Sequence, residues 1–294
     1  VEFGLGAWYV KGGIYEIPKA LEKLARELDV EFEFGAEVEK ILIENRKAVG
    51  VKLKEDEFGE GEEFRAEFVI SNADAIETYR RLIEPKERPS FSDKRLEKRE
   101  PSSSGFVLLL GVKKRFPQLA HHNIFFSDDY PIEFRHIFRV RIPTPNPTVY
   151  VCASTKTDPA QAPEGCENLF ILVNAPYTNR QVNWSIEAEP YRDNVIKMLE
   201  DFGLEGLNEA IDFEEILTPA DFEEIFRANR GSIYGVSSNG IFSAFMRIPN
   251  KSKDIENLYF VGGATHPGGG MPLVLLSGKM AADLILKEEF SAKS

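Results

Sequence analysis

The sequence predicts an α/β domain assembled from both ends of the chain, with an α+β domain inserted between them. Three observations predict this. The run Phe68-Val69-Ile70 ends in Ser71-Asn72-Ala73-Asp74 and passes into a helical stretch, Ala75 to Ile83. A second short apolar run, Leu258 to Val261, leads through a glycine-rich turn into a helical stretch from Leu273 to Lys287. Between them, from Pro101 onward, short apolar runs alternate with proline-bearing turns, as in a largely antiparallel mixed sheet. Strand, turn and helix in that order place a site at the C-terminal end of the strand.

Taken in order, Ile14 to Leu28 has helical spacing, with Ile17, Leu21, Leu24 and Ala25 on one side. Val30 to Phe34, Val38 to Ile43 and Ala48 to Leu53 read as strands, and Glu55 to Glu63 as an acidic hairpin tip. In the middle, Phe106 to Val112, Ile124 to Phe126, Thr148 to Cys152, Leu169 to Val173 and Ile211 to Leu217 read as strands. Glu189 to Phe202 reads as a helix. The expected division is 13–78 with 250–294 for the α/β domain, and 1–12 with 79–249 for the inserted one.

Hydrophobic residues are 43% of the 294 and charged residues 29%, the balance of a chain that buries a core. The net charge of -12 excludes a general nucleic-acid binder and argues against broad attraction to anionic lipid. Lys86, Arg88, Lys94, Arg95, Lys98 and Arg99 are interleaved with acids, which suits a solvated helix face. Cys152 and Cys166 lack CxxC spacing, so reduced thiols in a cytosolic compartment are expected. No apolar stretch has the length of a membrane span and no signal peptide opens the chain. A first residue of valine suggests a chain cut from something longer. The 22 phenylalanines either fill a core or line a site for a long apolar ligand. For Phe106, Phe116, Phe125, Phe126, Phe134 and Phe138, core is expected for the majority.

The segment LYFVGGATHPGGGMPLVLLSGKMAADLIL, Leu258 to Leu286, carries the most chemistry. Five glycines fall within nine residues, Gly262 to Gly270, where a strand meets a helix. Backbone without a Cβ can approach a ligand there, and Pro272 suits a helix's first turn. The helix is apolar on nearly every face, so it is expected to be buried. Its start offers free N–H groups and partial positive charge, suited to a phosphate or to the electron-rich edge of a reduced flavin. A turn that only joins strand to helix is the alternative. Gly4-Leu5-Gly6 begins like a dinucleotide fingerprint, but Tyr9 stands where the third glycine belongs.

His121 and His122 are adjacent, so on a strand they face apart and make a poor metal pair; no metal is expected. With His136 they read as structural or surface groups. His266 either positions a ring or substrate, or holds the turn. Asp128, Asp129 and Asp221 could accept a proton or cap helices. No catalytic residue stands out.

The segment GGATHPGGGMPLVLLSGK resembles the C-terminal signature of the phytoene-desaturase-like family of carotenoid oxidoreductases. Ala7 to Gly13, Ala36 to Ile41, Val69 to Asp74, His121 to Tyr130, Asp158 to Leu172 and Thr218 to Phe222 agree with it in order. The resemblance implies a partial FAD-binding, glutathione-reductase-like domain with an inserted substrate domain. It places Val38 by the adenine, Gly262 and Gly263 by the ribityl-pyrophosphate, and Gly270, Met271 and Pro272 by the flavin ring. The family's N-terminal GxGxxG unit is missing from these residues, so weak or no flavin retention is expected. The implied reaction is desaturation of a phytoene- or diapophytoene-type polyene by hydride transfer to the flavin, which asks for orientation and an apolar channel. A terminal-methyl oxidase of the same family is the alternative. A non-catalytic isoprenoid-binding protein and a retinol-saturase-like or amine-oxidase-like flavin oxidase are further ones. The implied partners are a long apolar polyene and a membrane surface, on which the protein would sit peripherally from the cytoplasm.

Overall fold

The computed structural model describes residues 6, 8–55, 61–237 and 247–292, with side chains as far as 290. The expectations for Gly4, Leu5 and Ala7, and much of the acidic tip at 55–63, lie outside them. In chain order the elements are α1 (Glu16–Glu27), β1 (Val38–Glu44), β2 (Lys47–Leu53), β3 (Glu63–Arg65), β4 (Val69–Ser71), α2 (Ala75–Leu82), α3 (Asp93–Glu97) and β5 (Ser104–Val112). There follow β6 (His122–Phe125), α4 (Tyr130–Arg135), β7 (Val149–Cys152), β8 (Glu167–Ala175), α5 (Trp184–Asp201) and α6 (Leu207–Ala210). The chain closes with β9 (Ile211–Leu217), α7 (Pro219–Phe226), β10 (Leu258–Phe260) and α8 (Met271–Ala292). The fold is mixed α/β.

Backbone contacts divide the chain into two compact units. One comprises Val1–Phe34, Gly105–Ala175 and Arg180–Thr218; the other comprises Gly35–Ser104, Pro176–Asn179 and Pro219–Ser294. The expected division grouped 13–34 with the α/β domain; by contacts these residues cluster with the middle sheet. Gly12 N–H donates to Asp158 Oδ2 at 3.0 Å, and the Tyr9 ring packs edge-on to His121 at 5.0 Å.

The first unit holds a five-stranded sheet in the order β6-β7-β8-β5-β9. Along β8, Leu169, Ile171 and Val173 are buried while Phe170 is exposed, the period-two alternation of a sheet with one covered face. Helix α5 covers that face with Trp184, Tyr191, Val195, Ile196 and Leu199. Each such side chain contributes about 1.5–3 kcal/mol by leaving water. The helix starts five residues before the predicted Glu189, because Asn183 accepts the Ser185 N–H and caps it. The other sheet face lines a hollow of about 270 Å³ with Leu109, Gly111, Cys152, Asn168, Phe170 and Phe213.

In the second unit β4 and β10 pair in parallel, Val69 opposite Leu258 and Ser71 opposite Phe260. β1, β2 and β3 form an antiparallel meander, turned at Asn45-Arg46, both with positive φ as a two-residue hairpin requires. The core centres on Tyr79, stacked on Phe91 at 4.3 Å and tilted against Phe260 at 4.9 Å.

Several expectations are corrected. Residues 30–34 form no strand: no described strand pairs with them, Phe32 stacks on Phe34 at 5.9 Å and Arg26 covers Phe32, while Val30 and Phe34 stay exposed. Arg88 is buried rather than solvated, donating to the carbonyls of Ile83 and Phe91 and to Asp93. Of the six phenylalanines singled out, only Phe106 and Phe116 are fully buried, and Phe126 is 64% exposed. α8 is not buried: Leu273, Leu275, Leu276 and Leu286 lie exposed, and only Ser277 and Ala281 are enclosed among its described side chains. Both cysteines are free thiols. No helix among the described residues is long and apolar enough to cross a membrane.

Candidate functional site

Two turns leave the parallel strands at their C-terminal ends. The first, Asn72-Ala73-Asp74, enters α2. Asp74 caps it, its carboxylate accepting the N–H groups of Ile76 and Glu77 at 2.8 and 3.2 Å. Burial holds that carboxyl above its usual range, against the lowering effect of amide donors from Glu77, Ile76 and Asn229. Ser71 and Thr78 share a hydroxyl contact of 2.8 Å, which ties the strand to the helix.

The second turn runs from Gly262 to α8. Gly262 has φ +98°, and a Cβ there would stand 2.7 Å from Asn72 Oδ1. Its N–H donates to Ser277 Oγ at 2.8 Å, and that hydroxyl donates onward to the Val274 carbonyl. The two turns therefore lock together. A Cβ on Gly268 would lie 2.8 Å from the Arg247 guanidinium, and one on Gly269 would lie 3.0 Å from the Tyr234 ring. Arg247 Nη1 donates to the carbonyls of Tyr234 and Gly263, both at 3.3 Å, and burial lowers its pKa. Asn250 Nδ2 donates to the carbonyls of Phe260 and His266 at 3.1 and 2.8 Å.

Most of the glycine turn is thus explained by close packing inside the chain. Gly270 is the exception. It is exposed, has φ +103°, and nothing lies within 4 Å of where its Cβ would stand. Met271 and Pro272 beside it are exposed, and Val274 N–H donates to the Gly270 carbonyl at 2.9 Å. The start of this helix is open, with amides and a positive dipole end available to an electron-rich group. A flat, electron-rich ring fits against such an open, Cβ-free edge.

The structure brings Gly262, Gly263, Gly270, Met271 and Pro272 into one turn, with Gly262 buried and the last three open. Val38 stands at the start of β1, in a different sheet of the same unit. Sequence reasoning missed Asn72 as packing partner of Gly262, and it missed Arg247, Tyr234 and Asn250; nothing in their local sequence signals these contacts. His266 is exposed, and its backbone N–H donates to the Ile248 carbonyl at 3.1 Å. Asp129 caps α4 through Ile132 N–H and Asp128 accepts from Asn146. Asp221 lies in the first turn of α7.

His121 and His122 do not face apart. His121 precedes β6, where the backbone bends, and the two rings come within 4.4 Å of each other. Burial, then the neighbouring His122, lowers the pKa of His121. His136 Nδ1 meets Thr144 Oγ1 at 3.1 Å.

A family model described as flavin containing amine oxidoreductase matches residues 2–286. Proteins called 4,4'-diaponeurosporene oxygenase, from Staphylococcus aureus strains USA300 and NCTC 8325, are 41% identical over 288 residues, which cover 97% of this chain. The chain spans 56% of the length of these relatives. Among solved structures, an oxidoreductase from Methanosarcina mazei superposes with a TM-score of 0.56 at 20% identity, covering 93% of this chain and 55% of the other. A protein from Pyrococcus furiosus gives 0.54 at 18% identity, covering 93% and 52%. At these identities the two structures share the fold.

Proposed function

The chain belongs to the flavin containing amine oxidoreductase family, and on that premise we propose that it is the flavin- and substrate-facing part of an FAD-dependent carotenoid oxidoreductase. The single observation carrying the reading is the open start of α8 at Gly270, at the C-terminal ends of a parallel strand pair, in a chain 41% identical to carotenoid oxygenases. The proposed flavin domain is of the glutathione-reductase-like kind, with its strand–turn–helix parts in 35–78 and 250–294. The inserted sheet is proposed as the substrate domain. In this reading FAD, when bound, accepts the hydride.

The chain's own residues supply position. Gly270 would allow a ring to approach backbone closely, and the amides at the start of α8 would supply donors and positive potential to an electron-rich group held there. The bonds from Ser277, Arg247 and Asn250 hold that turn in one shape before any ligand arrives. Val38 is proposed near the adenine, and Gly262 and Gly263 near the ribityl-pyrophosphate. A long apolar polyene is the proposed substrate and peripheral contact with a membrane its source.

The relatives' name favours oxygenation of a carotenoid over desaturation. Expression of the full-length gene in carotenoid-producing cells, followed by product analysis, separates the two: oxygenated products support the first, added double bonds alone the second. Gly270→Val should lower both flavin content and product while leaving the circular-dichroism spectrum intact. Unchanged flavin content in that variant would sink the placement.

A further inference from the structure

We propose that His121, His122 and Cys152 form a binding site for a divalent cation of the zinc class, with a fourth position open beside the Tyr9 hydroxyl. His122 and Cys152 are direct partners across the antiparallel pair β6–β7, so their side chains share a face. The bend before β6 adds His121 to the same cluster. One ring nitrogen from each histidine and the Cys152 sulfur lie within 4.8 Å of one another.

In a tetrahedral site with bonds of about 2.0–2.3 Å, ligand atoms stand roughly 3.3–3.8 Å apart. Closing the cluster therefore takes about 1 Å of movement, which rotation of the exposed His122 side chain supplies. Each ring is already oriented by a hydroxyl: His121 Nδ1 meets Thr157 Oγ1 at 2.6 Å and His122 Nδ1 meets Tyr150 Oη at 2.8 Å. Outer hydrogen bonds of this kind fix a ligand histidine's tautomer and ring angle. The Tyr9 hydroxyl is shut off from solvent and has no hydrogen-bond partner among the described residues. Its ring packs on His121, and Cys152 is among its electrostatic neighbours.

The donor set chooses the cation. Two imidazoles and a thiolate suit zinc and its neighbours and disfavour magnesium or calcium. Three protein ligands leave a position for a water or an exogenous group. Cys152 also lines the hollow on the open sheet face, so a bound cation would be reachable from it. None of these residues belongs to the glycine turn, so the site stands or falls apart from the flavin reading.

The test is a titration of the full chain, reduced and stripped with EDTA, by Co²⁺ and then by Zn²⁺. One equivalent of Co²⁺ should bind with a thiolate-to-cobalt charge-transfer band in the near ultraviolet, displaced by Zn²⁺. Cys152→Ser should abolish the band, Cys166→Ser should leave it, and Tyr150→Phe should weaken binding roughly tenfold through loss of the outer hydrogen bond. His122→Ala, at an exposed position that the fold tolerates, should also remove the band. No band in the parent protein, or a band that survives Cys152→Ser or His122→Ala, overturns the site.

Discussion

Helix α5 buries Trp184, Tyr191, Val195, Ile196 and Leu199 along one side, whereas α8 leaves Leu273, Leu275, Leu276 and Leu286 between 40% and 54% exposed. In α5 the buried positions 191, 195 and 199 recur every four residues, a stripe that one sheet face can cover. In α8 the apolar residues are consecutive from Leu273 to Leu276 and cannot share one side. Within its unit, α8 is held at Ser277 and Ala281. The pair teaches that a periodic stripe names its own partner, while a continuous apolar run states only that a helix can be covered all round.

The sharpest break of that comparison is truncation. Leu199→Ala, at a fully buried position, should cost about 2–5 kcal/mol in urea unfolding, and Leu276→Ala on α8 at most about 0.5 kcal/mol. Equal losses would mean that α8 is as well packed as α5. Glycines give the next largest effect. Gly262→Ala places a Cβ 2.7 Å from Asn72 Oδ1 at φ +98° and should cost about 1–3 kcal/mol. Gly278→Ala, with nothing within 4 Å, should instead stabilise by about 0.4–1 kcal/mol.

The two units also differ at their buried tyrosines. Tyr79 meets Ser252 Oγ at 3.1 Å, whereas the Tyr191 hydroxyl has no partner among the described residues. Tyr79→Phe should therefore cost about 1 kcal/mol, and Tyr191→Phe should be neutral or slightly stabilising, measured by thermal melts. Both phenols are raised above their usual value of 10.0, burial being the larger cause in each. A folded-state pKa above the unfolded one gives a contribution fully present below pH 10 that fades as pH climbs toward the folded value. Stability should fall above about pH 10, with phenolate absorbance rising alongside unfolding, and less steeply in the double Phe variant.

Much of the fold was readable from period and punctuation. β9 falls on the predicted residues, and β1, β2, β5, β7 and β10 within two of them. Residues 30–34 misled because alternation is a local property and a strand requires a neighbour. The glycine turn was readable as a tight strand-to-helix junction. The reasons for its glycines were not, because Asn72, Tyr234 and Arg247 reach it from elsewhere in the chain. The histidine rings were expected to face apart and do not, because the backbone bends before β6; their neighbour Cys152 lies thirty residues on and enters only through the β6–β7 register.

The parallel pairing of β4 with β10 joins Val69 to Leu258, so its two strands are among the last parts of the chain able to meet. Contacts of that span are entropically slow to close, whereas the β6–β7–β8 meander is local. During synthesis the inserted sheet should be able to condense while residues 35–104 still wait for a partner. A ribosome stalled before Leu258 would hold that segment exposed to proteases, and release should be followed by a late gain in resistance.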